Sequence, residues 1–131
     1  MRDVLEAIMR RHPADTGTIH RLEGDVLVLE AEVGLPPPVV ELVRRVPIGK
    51  GMAGLAAQRN EPVSSCNIQV DTTGDVRPGA RQTGVNGAIV VPIRDDAGTV
   101  RGTLGIGVHR AYEYGDAEVA RLLDEATRIQ F

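Results

Sequence analysis

Residues 87–109 read GAIVVPIRDDAGTVRGTLGIGVH, and this stretch decides the fold class. Two runs of β-forming residues, 87–94 and 99–109, flank the turn sequence DDAG, a pattern that is typical of a β-hairpin. Along the second run, apolar side chains alternate with small and polar ones, so one face of that strand is apolar and the other is nearly bare. A bare face admits a close neighbour at Gly105 and Gly107. We favour the backbone of a helix over a ligand as that neighbour.

The segments on either side of this hairpin add a second hairpin and several helices. Its two strand-forming runs are joined by a short glycine-containing connection. The predicted elements are an amphipathic helix over 2–11, strands over 16–22 and 26–33, short helices over about 39–45 and 53–58, a strand over 62–65 and a helix over 116–129 that Asp116 caps. Because hairpins rather than long crossovers join the strands, we expect an α+β fold with an antiparallel sheet.

Length and composition limit the classes of function. The 131 residues, of which 42% are hydrophobic, suit one domain over residues 1–131. The net charge of −3 comes from interspersed charges, so we expect no nucleic-acid partner. No stretch reaches the roughly 18 apolar residues of a membrane span, so we expect a cytoplasmic protein with no membrane partner. Cys66 is the only cysteine, which excludes an internal disulfide and a zinc site built on several thiolates.

A long polar segment, residues 66–86, lies between the strand at 62–65 and the hairpin at 87–109. It has no clear period and is longer than compact domains usually keep without a use, so we interpret it as a functional or mobile loop. Its polar groups suit a carboxylate or amide ligand, which they would hold through charge-assisted hydrogen bonds. These groups belong to Asp71, Thr72, Thr73, Asp75, Arg77, Arg81 and Thr83. A plainly solvated loop is the alternative.

Several motifs, in this order and spacing, resemble those of a GAF domain, a sensory fold related to PAS domains. The motifs are VPIGKGMAG at 46–54, AA at 56–57, EPV at 61–63, AIVVPI at 88–93, GTLGI at 102–106 and DAE at 116–118. The resemblance covers residues 16–130. It implies a central antiparallel sheet of about six strands, with terminal helices on one face that often pair in dimers. It also implies a loop-covered pocket on the other face, which in this family holds cyclic nucleotides, haem, bilins, amino acids or nothing known.

The residues that the best-known chemistries of this family need are missing. Free methionine-(R)-sulfoxide reductases use several cysteines, but Ala53 stands where their glycine-rich segment carries one, and Cys66 alone cannot complete a dithiol cycle. Bilin attachment uses a thiol commonly followed by histidine, whereas Cys66 is followed by Asn67. Haem would need His20 or His109 as an axial ligand in a large apolar cavity, and we interpret both as ordinary strand histidines. Aromatic residues that would stack a purine are also lacking, so we expect no cofactor.

We place the candidate pocket between residues 48–54, the loop and the sheet. The candidate ligand-binding residues are Lys50, Met52, Cys66, Asp71, Asp75, Arg77, Arg81 and Thr83, and the candidate walls are Ile48, Val63, Ile89 and Val91. Lys50 is included because it can face a small anion over a helix N-terminus, although this segment lacks the pattern of a phosphate-binding loop. An ordinary place in the core is the alternative for the walls. No catalytic or metal-ligating residue is expected.

These observations predict a small-molecule-binding sensory or regulatory domain without catalytic activity. Its small-molecule ligand is not identified by the sequence. The helices over 2–11 and 116–129 are expected to form a homodimer or to pass a binding-induced change to a signalling partner protein. A dimerisation or scaffold module with a degenerate pocket is the alternative, and a reductase-like enzyme ranks third.

Overall fold

The computed structural model describes residues 1–70, 75 and 84–131. Across these residues the elements are, in order, α1 (Arg2–Arg10), β1 (Thr16–Glu23), β2 (Val26–Val33), α2 (Pro37–Val43), β3 (Arg45–Pro47), α3 (Gly51–Arg59), β4 (Val63–Ser65), β5 (Gly87–Arg94), β6 (Val100–Val108) and α4 (Asp116–Ala126). The strands form one antiparallel sheet in the order β3-β2-β1-β6-β5-β4. The α+β class and both hairpins are therefore confirmed. Within the described ranges, no helix is long and apolar enough to cross a membrane.

The terminal helices α1 and α4 pack on one face of the sheet, which we call the helix face. Leu5 and Ile8 of α1 and Leu122 of α4 are buried there against the apolar side of the central strands. These strand residues are Ile19, Ile89, Val91, Ile93, Leu104 and Ile106. Because residues at this spacing share one side of a helix, α1 presents a single apolar stripe to the sheet and keeps its charges in solvent.

A β-bulge at Glu30 reverses the alternation of side chains along β2, so residues that would otherwise share a face lie on opposite faces before and after it. Ala31, after the bulge, packs in the core of the helix face. Leu27, before the bulge, faces the other side and forms a small second core with Val46 of β3 and Ala57 of α3. This second core fixes α3 on the face opposite the terminal helices.

Strand β3 and the start of α4 differ from the sequence prediction. The helix predicted over 39–45 is present as α2 but ends at Val43, and Arg45–Pro47 pairs with β2 as a strand. Three residues are too few to show a period of two, so only the pairing partner defines this strand. At the other end of the chain the N-cap is Gly115 rather than Asp116. Glu118 Oε1 accepts a hydrogen bond from the Gly115 N–H at 2.9 Å, so the carboxylate reaches back to the cap residue.

A buried polar cluster fastens the end of α1 to α4. The side chains of Arg11 and His12 both hydrogen-bond the carboxylate of Glu125, and the His12 and Glu125 side chains are buried. Desolvation by itself would raise the pKa of Glu125, but the hydrogen bonds and charges of His12 and Arg11 outweigh it, so the pKa is lowered. A carboxyl group whose pKa is lowered by folding stabilises the native state above its unfolded pKa and loses that contribution as the pH falls.

We expect Glu125→Ala to lower the free energy of unfolding by about 3 kcal/mol at neutral pH, because it leaves the two partners of a buried pair unsatisfied. Below the ordinary glutamate pKa of 4.5, the difference from the wild type shrinks, since the wild-type carboxylate itself becomes protonated. Urea unfolding followed by circular dichroism across this pH range measures both effects.

The matched control is Asp124→Ala on the same helix, which removes an exposed ion pair with Arg128. We expect this change to cost less than about 0.5 kcal/mol. If both variants lost the same free energy of unfolding at neutral pH, the buried cluster would stabilise the protein no more than an exposed ion pair does.

Candidate functional site

The face of the sheet opposite the terminal helices carries hydroxyl groups and glycines where its central strands lie side by side. We call it the threonine face. Strand pairing assigns to it Thr16, Thr18 and His20 of β1, Ala88, Val90 and Pro92 of β5, and Thr103, Gly105 and Gly107 of β6. A Cβ at Gly105 would lie 3.0 Å from Thr18 Oγ1 and 3.3 Å from Val90 Cγ2. These three residues on three neighbouring strands therefore lie side by side, and we call the surface that they form the floor.

The glycine-rich segment that leads into α3 borders the threonine face on one side. Gly54 has to be a glycine there, because a Cβ would lie 2.5 Å from Pro47 O. The Gly49 N–H donates a hydrogen bond to Gly54 O at 2.9 Å, which closes the turn. Ile48 packs against the second core, and Lys50 is the exposed N-cap residue of α3. The segment is thus held on the sheet by backbone contacts and leaves the lysine side chain in solvent.

Two hydrogen-bonded segments, residues 66–70 and 84–86, border the face on the other side, and we call them the clasp. The Ile68 N–H donates to Asn86 O at 2.7 Å. The Asn86 side-chain amide donates to Asn67 Oδ1 at 3.1 Å. Ile68 is buried, as is the neighbouring segment's Val85. The clasp is therefore part of the packed structure on this side of the sheet.

Val85 of the clasp occupies the space that a side chain on β6 would fill. A Cβ at Gly107 would lie 2.6 Å from Val85 Cγ1 and 3.1 Å from Thr16 Oγ1. The close neighbour of Gly107 is thus a loop side chain, which corrects the expectation of a helix. At Gly105, the nearest atoms in the described part of the chain belong to the sheet itself. The floor is consequently covered at Gly107 and formed only by strand residues at Gly105.

Among these nine residues of the threonine face, His20 alone is titratable. Its side chain is buried, and Nε2 donates to Val43 O at 2.8 Å. Burial lowers the pKa of His20, and the hydrogen bond to Val43 opposes only part of that effect. The imidazole is therefore neutral near pH 7, and the floor carries no charge. Charges stand at the border instead, on Lys50 and on the ion pair between Arg59 and Asp75.

The match to a known family follows from the sequence as a whole. The family model for the GAF domain matches residues 1–128. The chain belongs to the GAF domain family. No curated protein matches its sequence.

Solved structures with the same fold include domains with different activities. A GAF domain of a phosphoenolpyruvate-protein phosphotransferase from Coxiella burnetii is 23% identical, with a TM-score of 0.79 over 96% of this chain and 75% of that one. The type II free methionine-R-sulfoxide reductase of Thermoplasma acidophilum is 22% identical, with a TM-score of 0.78 over 96% of this chain and 84% of that one. The phosphotransferase GAF domain from Acinetobacter is 20% identical, with a TM-score of 0.77 over 97% and 75%. At these identities the likeness shows the fold alone.

The structure places several predicted site residues of this GAF domain around the threonine face. Val63 of β4 is buried and pairs with Val90, so it extends the floor. Met52 is half-buried in the first turn of α3, and Cys66 is exposed at the start of the clasp. Asp75 forms an ion pair with Arg59 at the end of α3, with an N–O distance of 3.2 Å.

Other predicted residues lie elsewhere. Ile89 and Val91 are buried on the helix face, against α1 and α4, so they are core residues and not walls of a pocket on the opposite face. The predicted ligand-binding residues Asp71, Arg77, Arg81 and Thr83 lie outside the described residues.

No motif in the sequence singles out the hydroxyl groups of this GAF domain. Thr16, Thr103 and Ser65 are buried, and Thr18 is half-buried on the floor. The available signal is the alternation Thr16, Thr18, His20 along β1, which puts polar side chains on the face opposite the terminal helices. Such an alternation is usually taken for the solvent face of a strand, so it does not by itself indicate a site.

We expect Gly107→Ala to destabilise the protein by about 1–3 kcal/mol, because the new methyl group overlaps Val85. Combining it with Val85→Ala removes the overlapping Cγ1 atom. The double variant is therefore expected to lose less stability than the two single changes added together. Chemical unfolding of the four proteins measures this coupling. Strict additivity would mean that Val85 does not rest on Gly107.

Proposed function

We propose that this GAF domain is a small-molecule-binding sensory or regulatory domain without catalytic activity, and that its ligand lies on the threonine face. The observation that carries the proposal is the floor at Gly105. There β1 contributes the hydroxyl of Thr18, β5 contributes the isopropyl group of Val90, and the glycine of β6 has no side chain. Missing side chains let a ligand lie close to the backbone of the sheet. The GAF fold commonly serves small-molecule sensing, which supports the same interpretation.

The chemistry of the floor favours a compact ligand with at least one hydrogen-bonding group. Thr18 offers a half-buried hydroxyl that both donates and accepts, and Val63 and Val90 offer apolar contact. Charged groups of a ligand would point toward the border, where Lys50 stands. A ligand that contacts the floor and the clasp together binds best when the clasp is closed, which is the differential affinity that a sensor needs.

The thiol content of the chain supports the absence of catalysis. Reduction of a sulfoxide by thiols forms a sulfenic acid, which a second thiol has to resolve. Cys66 is the only cysteine, and its exposed side chain lies at the start of the clasp rather than on the floor. An assay with free methionine-(R)-sulfoxide and dithiothreitol tests this directly, since an external thiol can replace the missing partner. Turnover by the wild type that disappears in Cys66→Ser would overturn the non-catalytic part of the proposal.

We expect native mass spectrometry or a thermal-shift panel of amino acids, nucleotides and tetrapyrroles to find a bound molecule. A ligand at about 100 times its Kd raises the free energy of unfolding by about 2.7 kcal/mol. Thr18→Val, which removes one hydroxyl at constant shape, is then expected to weaken that ligand roughly tenfold.

Thr99→Val is the matched control, because Thr99 is an exposed residue beside the β5–β6 turn, and its affinity for the ligand should equal that of the wild type. The proposed function would be contradicted if native mass spectrometry gave only the mass of the unliganded protein and no compound in the panel raised the melting temperature. Equal affinities in all three proteins would place the ligand away from the threonine face.

A dimerisation role is the second candidate, and a surface feature of α1 favours it. A shallow groove of about 390 Å³ runs beside this helix, lined by Glu6, Met9, Arg10, Ala14 and Val33. Val4, next to the groove in the chain, is 44% exposed. Glu6 and Arg10 carry opposite charges on α1. If two copies of α1 pack antiparallel, the acid of each faces the base of the other, as a two-fold interface requires.

We expect the wild type to be a dimer by light scattering at about 100 μM and Val4→Glu to be a monomer, because the new charge would be buried in the interface. Leu42→Glu is the matched control, since Leu42 is an equally apolar residue on α2 that is 52% exposed. This variant should stay dimeric. A monomeric wild type at that concentration would exclude the homodimer.

A further inference from the structure

We propose that His20 is a proton-operated tether, which holds α2 on the sheet through Val43 and releases it when the imidazole is protonated. The tether is a single contact between two elements: Nε2 of His20 on β1 lies 2.8 Å from the carbonyl oxygen of Val43 at the end of α2. Val43 also packs against the second core. The proposal concerns the protein itself and holds whether or not a ligand binds.

The protonation state of His20 follows from its two nitrogens. A carbonyl oxygen only accepts hydrogen bonds, so Nε2 carries the proton in the neutral ring. Nδ1 is then a lone-pair acceptor, and it is buried without a hydrogen-bond partner among the described residues. A second proton would have to sit on Nδ1, where a buried N–H group would find no acceptor and the ring would carry a charge away from water. Protonation therefore favours an arrangement that exposes the ring.

The arrangement of that kind that breaks the fewest contacts moves α2, which is otherwise held by the packing of Val39 and Val43 and by the hydrogen bond from the Leu29 N–H to Arg44 O. Val39 is its one buried residue, and no side chain caps its N-terminus after Pro36. Leu42 points into solvent, with 52% of its surface exposed. β1, by contrast, is paired on both sides within the sheet. The bond to Val43 is itself stronger when the ring is charged, but burial disfavours the charged ring more than this bond favours it, so an imidazolium at His20 gains by giving up the bond and reaching water.

The charged residues on the elements around His20 are paired with other residues or exposed to solvent. Arg21 on β1 pairs with Glu30 of β2 and with Glu23. On α2, Arg44 pairs with Glu41 in an exposed ion pair. Arg101 of β6 is exposed. Burial lowers the pKa of His20, and the Val43 hydrogen bond opposes part of that effect.

The direction of the pH dependence follows from this shift. Because the native state binds the proton more weakly than the unfolded chain, the free energy of unfolding falls as the pH drops below 6.5, the ordinary histidine value. Local release of α2 costs less than global unfolding, so it is the first response in this range. Val43 shares the second core with Ile48, which borders the threonine face, so release would also loosen that border.

Hydrogen exchange of the α2 amides, corrected for the intrinsic effect of pH, tests the proposal at about pH 7.5 and about pH 5.5. In the wild type, we expect protection of residues 40–44 to fall about tenfold at the lower pH. His20→Gln keeps an amide N–H in the place of Nε2 but has no titratable group, so its protection should be nearly the same at both values. His20→Leu has no donor and should show the low protection at both.

Glu41→Gln is the control for titration on α2 itself, and it should respond to pH as the wild type does. A pH response in His20→Gln equal to that of the wild type would overturn the tether. Imidazole ¹⁵N shifts of the wild-type protein decide the matter even where a variant does not fold. They should show the Nε2–H form at the higher pH, and an Nδ1–H form, or protonation of His20 without loss of α2 protection, would refute the proposal.

Discussion

The structure depends on the unequal faces of β6, the strand at the centre of the sheet. Leu104 and Ile106 on one face build the core beneath the terminal helices. On the other face, Gly105 and Gly107 are buried without side chains of their own, Gly105 beside Thr18 and Val90 and Gly107 under Val85. A sheet with two apolar faces would bury both under helices, as parallel sheets do. On the face that carries the glycines, α3 packs at the second core, and the terminal helices lie on the opposite face.

Much of this architecture could be predicted from the sequence, because its signals are local. The hairpin at 87–109 and the two terminal helices show their periods within a few residues, and these elements decide the class of the fold. The same periods could not orient β5. Its run from Ala88 to Ile93 is apolar on both faces, so nothing in the sequence tells whether Ile89 or Val90 faces the helices. Only the pairing of Ile89 with Ile106 settles this.

The contacts that fasten the outer helices could not be predicted, because they join residues far apart in the chain. Glu125 and His12 are 113 positions apart, and no pattern along the sequence links them. The same holds for His20 and Val43, on elements that the sequence alone does not bring together. In both contacts a histidine is buried with one ring nitrogen unpartnered within the described residues. Buried polar groups of this kind are costly, so these contacts favour one position of each helix over nearby alternatives.

A structural change on the threonine face can reach the terminal helices because only one sheet separates them. Thr18 and Gly105 are paired on the threonine face, and the next pair along the same two strands, Ile19 and Leu104, is buried under α1 and α4. A ligand that shifts the first pair must also move the second, because the two pairs are adjacent along the backbone and the core around the second is close-packed. The helix face is therefore one residue away from the floor. Since α1 and α4 are joined through Glu125, they would respond as one unit, and a partner would detect a movement of the helix pair rather than a separation of its helices.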